Sequence, residues 1–81
     1  MNISATDIRF DDDTMWVALD DGRTLGVPLA WFPRLLVADK AARQRYELSP
    51  GGIHWDALDE DISIAGLLAG RGDQTLRRPA A

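Results

Sequence analysis

Residues 14–30 read TMWVALDDGRTLGVPLA, and the fold turns on how this stretch pairs with itself. Met15, Val17 and Leu19 alternate with Trp16 and Ala18, the period-two signature of a strand with two unlike faces. Leu25, Val27 and Leu29 continue the alternation after Asp21-Gly22. That dipeptide is read as a tight primed turn, whose central residues take positive φ. Pro28 has no N–H for a ladder, so it must face solvent or end its strand. The stretch is a β-hairpin.

Working outward, TDIRF (6–10) has strand composition and Asp11–Asp13 is a turn. Three antiparallel strands in a meander follow from connections this short. Downstream the period changes in AWFPRLLVA (30–38). Pro33 suits a helix's first turn, where its missing N–H costs nothing. The expected helix runs from about Phe32 to Val37, with Phe32, Leu35 and Leu36 on one face. Asp39 then reads as the N-cap of a second short helix, KAARQR (40–45), with Arg43 and Arg45 late, where they complement the dipole. YEL (46–48), SPGG (49–52) and IHW (53–55) read as strand, turn and strand. DEDIS (59–63) leads into IAGLLAG (64–70), where Ser63 is a good N-cap and Gly70 a good C′ residue. Leu67 and Leu68 would dock this last helix. The expectation is one α+β domain over residues 1–70: a small antiparallel β-meander sheet packed with two or three short helices. Residues 71–81 are expected to form a disordered tail.

Composition bounds the function. The chain has 81 residues, near the lower size at which one core supports itself. With no cysteine and one histidine, neither a disulfide framework nor a zinc site of the usual ligands is available. A net charge of −4, with Lys and Arg scattered along the chain, argues against nucleic acid as a direct partner, because that needs clustered cations. No apolar run approaches the roughly 20 residues of a membrane span. The N-terminus lacks a signal peptide's basic and apolar regions. The expectation is a soluble cytoplasmic protein with no membrane contact.

GIHWDALDEDIS (52–63) holds the one histidine and a run of acids, the residue types that chemistry would need. A calcium loop needs oxygen ligands at alternate positions and a glycine in register; Ala57 and Leu58 stand where ligands would be wanted. Asp56, Asp59, Glu60 and Asp61 therefore read as solvated or capping charges before a helix N-terminus. His54 has no nucleophile motif near it and reads as a half-buried histidine bonded to backbone or a carboxylate. SPGG lacks the context of a phosphate loop, and RGD (71–73) carries no information in a tail. No catalytic, cofactor-binding or metal-binding residue is assigned. Trp16, Trp31 and Trp55 are core material first, with Trp16 or Trp31 the one expected at the surface.

MWVALDDGRTLGVPLAWFPRLLVA (15–38) followed by GIHWDALDEDISIAGLLAG (52–70) resembles the DUF2442 family of small bacterial proteins. Trp16, Leu19, Asp21 to Arg23, Pro28, Leu29 and Trp31 to Leu35 fall on the family pattern. So do Gly52 to Ser63, Gly66 to Leu68, and Gly70. The resemblance covers roughly residues 8–70. It implies an α+β domain with an antiparallel sheet and short helices, and a non-enzymatic role. Some relatives carry a C-terminal helix-turn-helix domain, and others are encoded beside a second small protein, which implies an antitoxin-like or regulatory partner. Here the chain ends after Gly70 and a tail, so direct DNA binding is not expected. SPGG also replaces a more glycine- and tyrosine-rich turn.

Two function classes remain. One is a protein-interaction module, the antitoxin-like or regulatory half of a two-protein system, whose partner is encoded by a neighbouring gene. The alternative is a small acidic inhibitor encoded by a mobile element, anti-CRISPR-like or DNA-mimic-like, that occludes a nucleic-acid-binding enzyme. Candidate partner contacts are Trp16 and Arg23, side chains of types enriched in binding hot spots, with Arg34 on the exposed side of the first helix. Oligomeric state is not readable from the sequence.

Overall fold

The computed structural model describes residues 3–70; the expected tail at 71–81, with its RGD, lies outside them. The first sheet contains β1 (Ala5–Phe10), β2 (Thr14–Leu19) and β3 (Thr24–Pro28), antiparallel in the order β1-β2-β3. Alternation sends Met15, Val17 and Leu19 inward, where they are buried, and leaves Trp16 outside. In β1 the buried residues Ala5 and Ile8 are three apart, which a regular strand cannot place on one face. A register shift between Ala5 and Asp7 absorbs the odd residue.

The hairpin turn differs from the expected two-residue primed turn. Leu19 N–H donates to the Arg23 carbonyl at 2.8 Å, and Gly22 N–H to the Leu19 carbonyl at 3.1 Å. Gly22 has φ +95°, whereas Asp21 is not in the positive region. This is a three-residue loop with glycine at the left-handed position. A primed turn would have put Asp21 at positive φ as well, a conformation that costs an L-residue about 1–2 kcal/mol. The longer loop puts that demand on Gly22 alone. Asp21 is then free to accept from the Arg23 backbone N–H at 3.1 Å and from Arg23 Nε at 2.7 Å.

A 3₁₀ turn over Leu29–Trp31 leads into α1 (Pro33–Val37), and α2 (Lys40–Arg43) follows. Asp39 caps α2 as expected, its Oδ1 accepting from Ala42 N–H at 2.8 Å. Phe32 and Leu35 are buried, but Leu36 is exposed, because so short a helix presents only one or two positions to the core. Arg43 turns back to α1, donating through Nε to the Leu35 carbonyl and through a terminal nitrogen to the Leu36 carbonyl, both at 2.8 Å. It thus bonds two of the last carbonyls of α1, the end of a helix where intrahelical donors run out; the Leu35 carbonyl also accepts from the Ala38 N–H at 3.3 Å.

The second sheet contains β4 (Glu47–Ser49), β5 (Gly52–Trp55) and β6 (Glu60–Ser63), also antiparallel and in sequence order. Glu60–Ser63, expected as the approach to a helix, is the third strand of this sheet. Glu60 and Ile62 point inward and Asp61 and Ser63 outward. Ser63 still caps α3 (Ile64–Leu68), accepting from Gly66 N–H at 3.1 Å. The α+β expectation holds, with two three-stranded sheets in place of one meander.

One core joins the sheets. Ile8, Met15, Val17 and Val27 from the first meet Ile53, Trp55 and Ile62 from the second, with Leu29, Leu35, Ile64 and Leu67 filling the ends. Polar bonds tie the second sheet to α2 and to the segment before β1. Trp55 Nε1 donates to the Arg43 carbonyl at 2.9 Å, and Gly51 N–H donates to Ser4 Oγ at 3.0 Å.

Candidate functional site

The outer face of the first sheet is built around Trp16. Its cross-strand neighbours are Arg9 on β1 and Gly26 on β3. The indole lies over Gly26: a Cβ there would come within 2.7 Å of Trp16 Cζ3. A glycine inside a strand often marks such a close approach. The indole N–H donates to Asp11 Oδ2 at 2.8 Å, and this bond is the main cause that holds the Asp11 carboxyl below its usual range. The ring is therefore fixed at one edge by Asp11 and on one face by Gly26, with 36% of the residue exposed. An aromatic group already held in place loses little conformational entropy on binding.

The other sequence candidates lie elsewhere. Arg23 sits at the hairpin tip, three residues before Gly26, and is bound to Asp21 through Nε and a terminal nitrogen, both at 2.7 Å. That hydrogen bond raises the Arg23 pKa and lowers that of Asp21. Arg34 is exposed as expected, but its guanidinium donates to the Asp59 carbonyl at 2.6 Å, joining α1 to the β5–β6 turn. It reads as a brace between elements. Trp16 and Arg23 share one hairpin, and Arg34 belongs to the other half of the molecule. Sequence reasoning missed Asp11 and Gly26. Glycine within a strand was the available signal for the second; nothing in DDD singles out its first aspartate.

A second polar group occupies the outer face of the second sheet. Glu47, His54 and Asp61 stand in register across β4, β5 and β6. His54 Nδ1 lies 2.6 Å from Asp61 Oδ1, and Nε2 lies 3.5 Å from Asp56 Oδ1. The Asp61 bond is the first cause of a raised His54 pKa, opposed by partial desolvation and supported by Asp56. The half-exposed histidine bonded to carboxylate is as expected. The acidic run itself divides: Glu60 is buried, and Asp61 pairs with His54. Among the described residues no group of three or more His, Asp or Glu is arranged to hold a metal, and no helix is long and apolar enough to cross a membrane.

Fold and surface together define a small α+β domain with two antiparallel sheets, whose outer faces carry a fixed tryptophan and a histidine–carboxylate row; Trp31 is exposed as well as Trp16. The chain belongs to the family described as protein of unknown function (DUF2442), whose model matches residues 5–73. It is similar to a protein of unknown function from Rhodospirillum rubrum ATCC 11170, known from a crystal structure. The two share 28% identity over 94% of this chain and 98% of the other, with a TM-score of 0.76. An uncharacterized protein from Chromobacterium violaceum, solved by NMR, shares the fold at 23% identity and a TM-score of 0.74, over 88% of this chain and 69% of the other. No curated protein matches the chain.

Proposed function

We propose that this protein acts by binding another protein through the outer face of its first sheet. It serves as the antitoxin-like or regulatory half of a small two-protein system in the cytoplasm, without enzymatic activity and without a cofactor. The observation that carries this reading is Trp16, held by Asp11 and Gly26 yet exposed. A large aromatic fixed at the surface adds nothing to the core and is suited to a binding hot spot. The partner is expected to be a small protein encoded by a neighbouring gene.

Exposed acids at both ends of the hairpin, Asp11 to Asp13 and Asp20 to Asp21, favour one second reading: an acidic inhibitor that occludes a nucleic-acid-binding enzyme. Affinity capture from the encoding organism separates the two. Full-length protein, a 1–70 truncation and the Trp16→Ala/Arg23→Ala double variant serve as baits, each checked for folding. A neighbour-encoded protein held by the first two and lost by the third supports the proposal. A nuclease or effector complex supports the inhibitor. Reproducible turnover of a small substrate with no specific partner contradicts both.

A further inference from the structure

The edge of β3 joins three features that together specify a ligand. It is the outer strand of its sheet, and among the described residues its far side carries no strand. The opposite edge, β1, is bent by its register shift and packs against β4. The phase of the β2–β3 ladder decides which backbone groups of β3 face outward. Leu19 N–H bonds the Arg23 carbonyl at one end, and Leu29 N–H bonds the Asp13 carbonyl at the other. Hydrogen-bonded pairs in an antiparallel ladder alternate, so they fall at Val17–Leu25 and Met15–Val27 within the observed register. Thr24 and Gly26 therefore turn their N–H and C=O groups away from β2, and Pro28 turns only a carbonyl.

Gly26, one of the two residues that turn both groups outward, also lies beneath the Trp16 indole. A residue added opposite Gly26 would stand about 5.5 Å away at Cα and project its side chain on Trp16's face of the sheet. The ring attracts a cation there. Both ends of the strand are acidic and exposed: Asp11, Asp12 and Asp13 beside Pro28, and Asp20 and Asp21 beside Thr24. The nearby cations are Arg9 and an Arg23 already bound to Asp21.

We infer that the free edge of β3 takes an extended basic segment of a partner protein, added antiparallel, with an arginine or lysine opposite Gly26 against the Trp16 indole. This rests on the interaction reading above and names the partner's chemistry. Backbone pairing supplies affinity, and alternate side chains supply specificity. A second copy of this chain is the wrong occupant, because pairing two such edges would bring two sets of acidic turns together.

The test is an amide-resolved NMR titration of the full chain with an alternating Thr-Arg peptide and its Thr-Glu counterpart. The Thr-Arg peptide should shift the Thr24 and Gly26 amides and the Trp16 indole N–H. Affinity should drop at least about tenfold for the Thr-Glu peptide, and likewise in about 1 M salt, where screening acts within ~3 Å. Thr24→Pro removes one outward N–H at a strand's first residue, where proline is tolerated, and should weaken binding to a similar degree. If that variant does not fold, N-methylation of the peptide's pairing amides does the same from the other side. Four results would each overturn the inference. They are shifts centred on Trp31 to Val37, equal binding of the acidic peptide, no shifts at millimolar peptide, or self-association through β3 in sedimentation. If Thr24→Pro captures the neighbour-encoded partner as well as wild type does, the edge is wrong while the interaction reading stands. If neither protein captures a partner, the interaction reading fails and takes this inference with it.

Discussion

Trp16 and Trp55 both lie in strands of three-stranded antiparallel sheets, yet the first is a surface group and the second is wholly buried. Strand parity separates them. In MWV the inward positions belong to Met15 and Val17, so the larger Trp16 must face out. In IHW the inward positions belong to Ile53 and Trp55, and His54 faces out. The two halves then treat their outward residue differently. The first sheet fixes its tryptophan with Asp11 and Gly26, leaving an apolar surface that does not collapse. The second surrounds its histidine with Asp61, Asp56 and, across β4, Glu47, leaving a surface that responds to pH.

The sharpest way to break this comparison is to truncate both tryptophans. Trp55→Ala should cost about 3–5 kcal/mol, because it empties the core and strips the Arg43 carbonyl of its donor. In an 81-residue protein that approaches the whole stability, and denaturant melts should show little folded protein. Trp16→Ala should cost no more than ~1 kcal/mol, since the residue is partly exposed and its bond to Asp11 lies at the surface. Equal losses in the two melts would erase the distinction.

Next in size is Gly26→Ala. Its Cβ would strike the indole at 2.7 Å, so the variant should lose about 1–3 kcal/mol as an overpacked site and expose more of Trp16 to fluorescence quenchers. In the Trp16→Ala background the same change should be nearly neutral. A double-mutant cycle measures this coupling, and additive losses would show that the ring does not rest on Gly26. Ser63→Ala and Asp39→Ala remove N-caps seen in the structure. Each should cost ~1 kcal/mol in chemical denaturation and leave partner capture unchanged.

The smallest effect is the pH response of the second sheet. His54 has a folded-state pKa raised above its unfolded value, first by Asp61. Its contribution is therefore full below about pH 6.5 and is lost as pH rises through the higher folded value. Denaturation series in wild type and His54→Gln should converge toward alkaline pH and diverge below neutrality, with wild type the more stable. A gap that widened with rising pH would have the wrong sign.

Legibility followed the same division. The first sheet is legible because period-two alternation and short connections leave few pairings open; the turn geometry at Asp21-Gly22 and the register shift in β1 are not. The second sheet was read through β5. Its last strand was missed because Glu60–Ser63 has one apolar residue, and an acidic approach to IAGLLAG is also how a helix begins. Leu36 was placed inside by helical spacing, but five residues of α1 give the core a narrower face than that pattern assumes. Arg43 capping α1 and Arg34 bonding the Asp59 carbonyl are long-range contacts that no local pattern encodes. Of the candidate site, Trp16 was visible as a tryptophan on the wrong parity for the core. The residues that hold it became visible only in three dimensions.

If Trp16 is fixed at the surface for a partner and does not serve the core, its loss should separate stability from binding. One preparation of Trp16→Ala tests this most directly, through both its melting temperature and its affinity for the neighbour-encoded protein captured by wild type. The prediction is a cooperative melt lowered by no more than ~8 °C and binding weakened at least about tenfold. Undiminished binding would contradict the claim, and so would a protein that no longer folds.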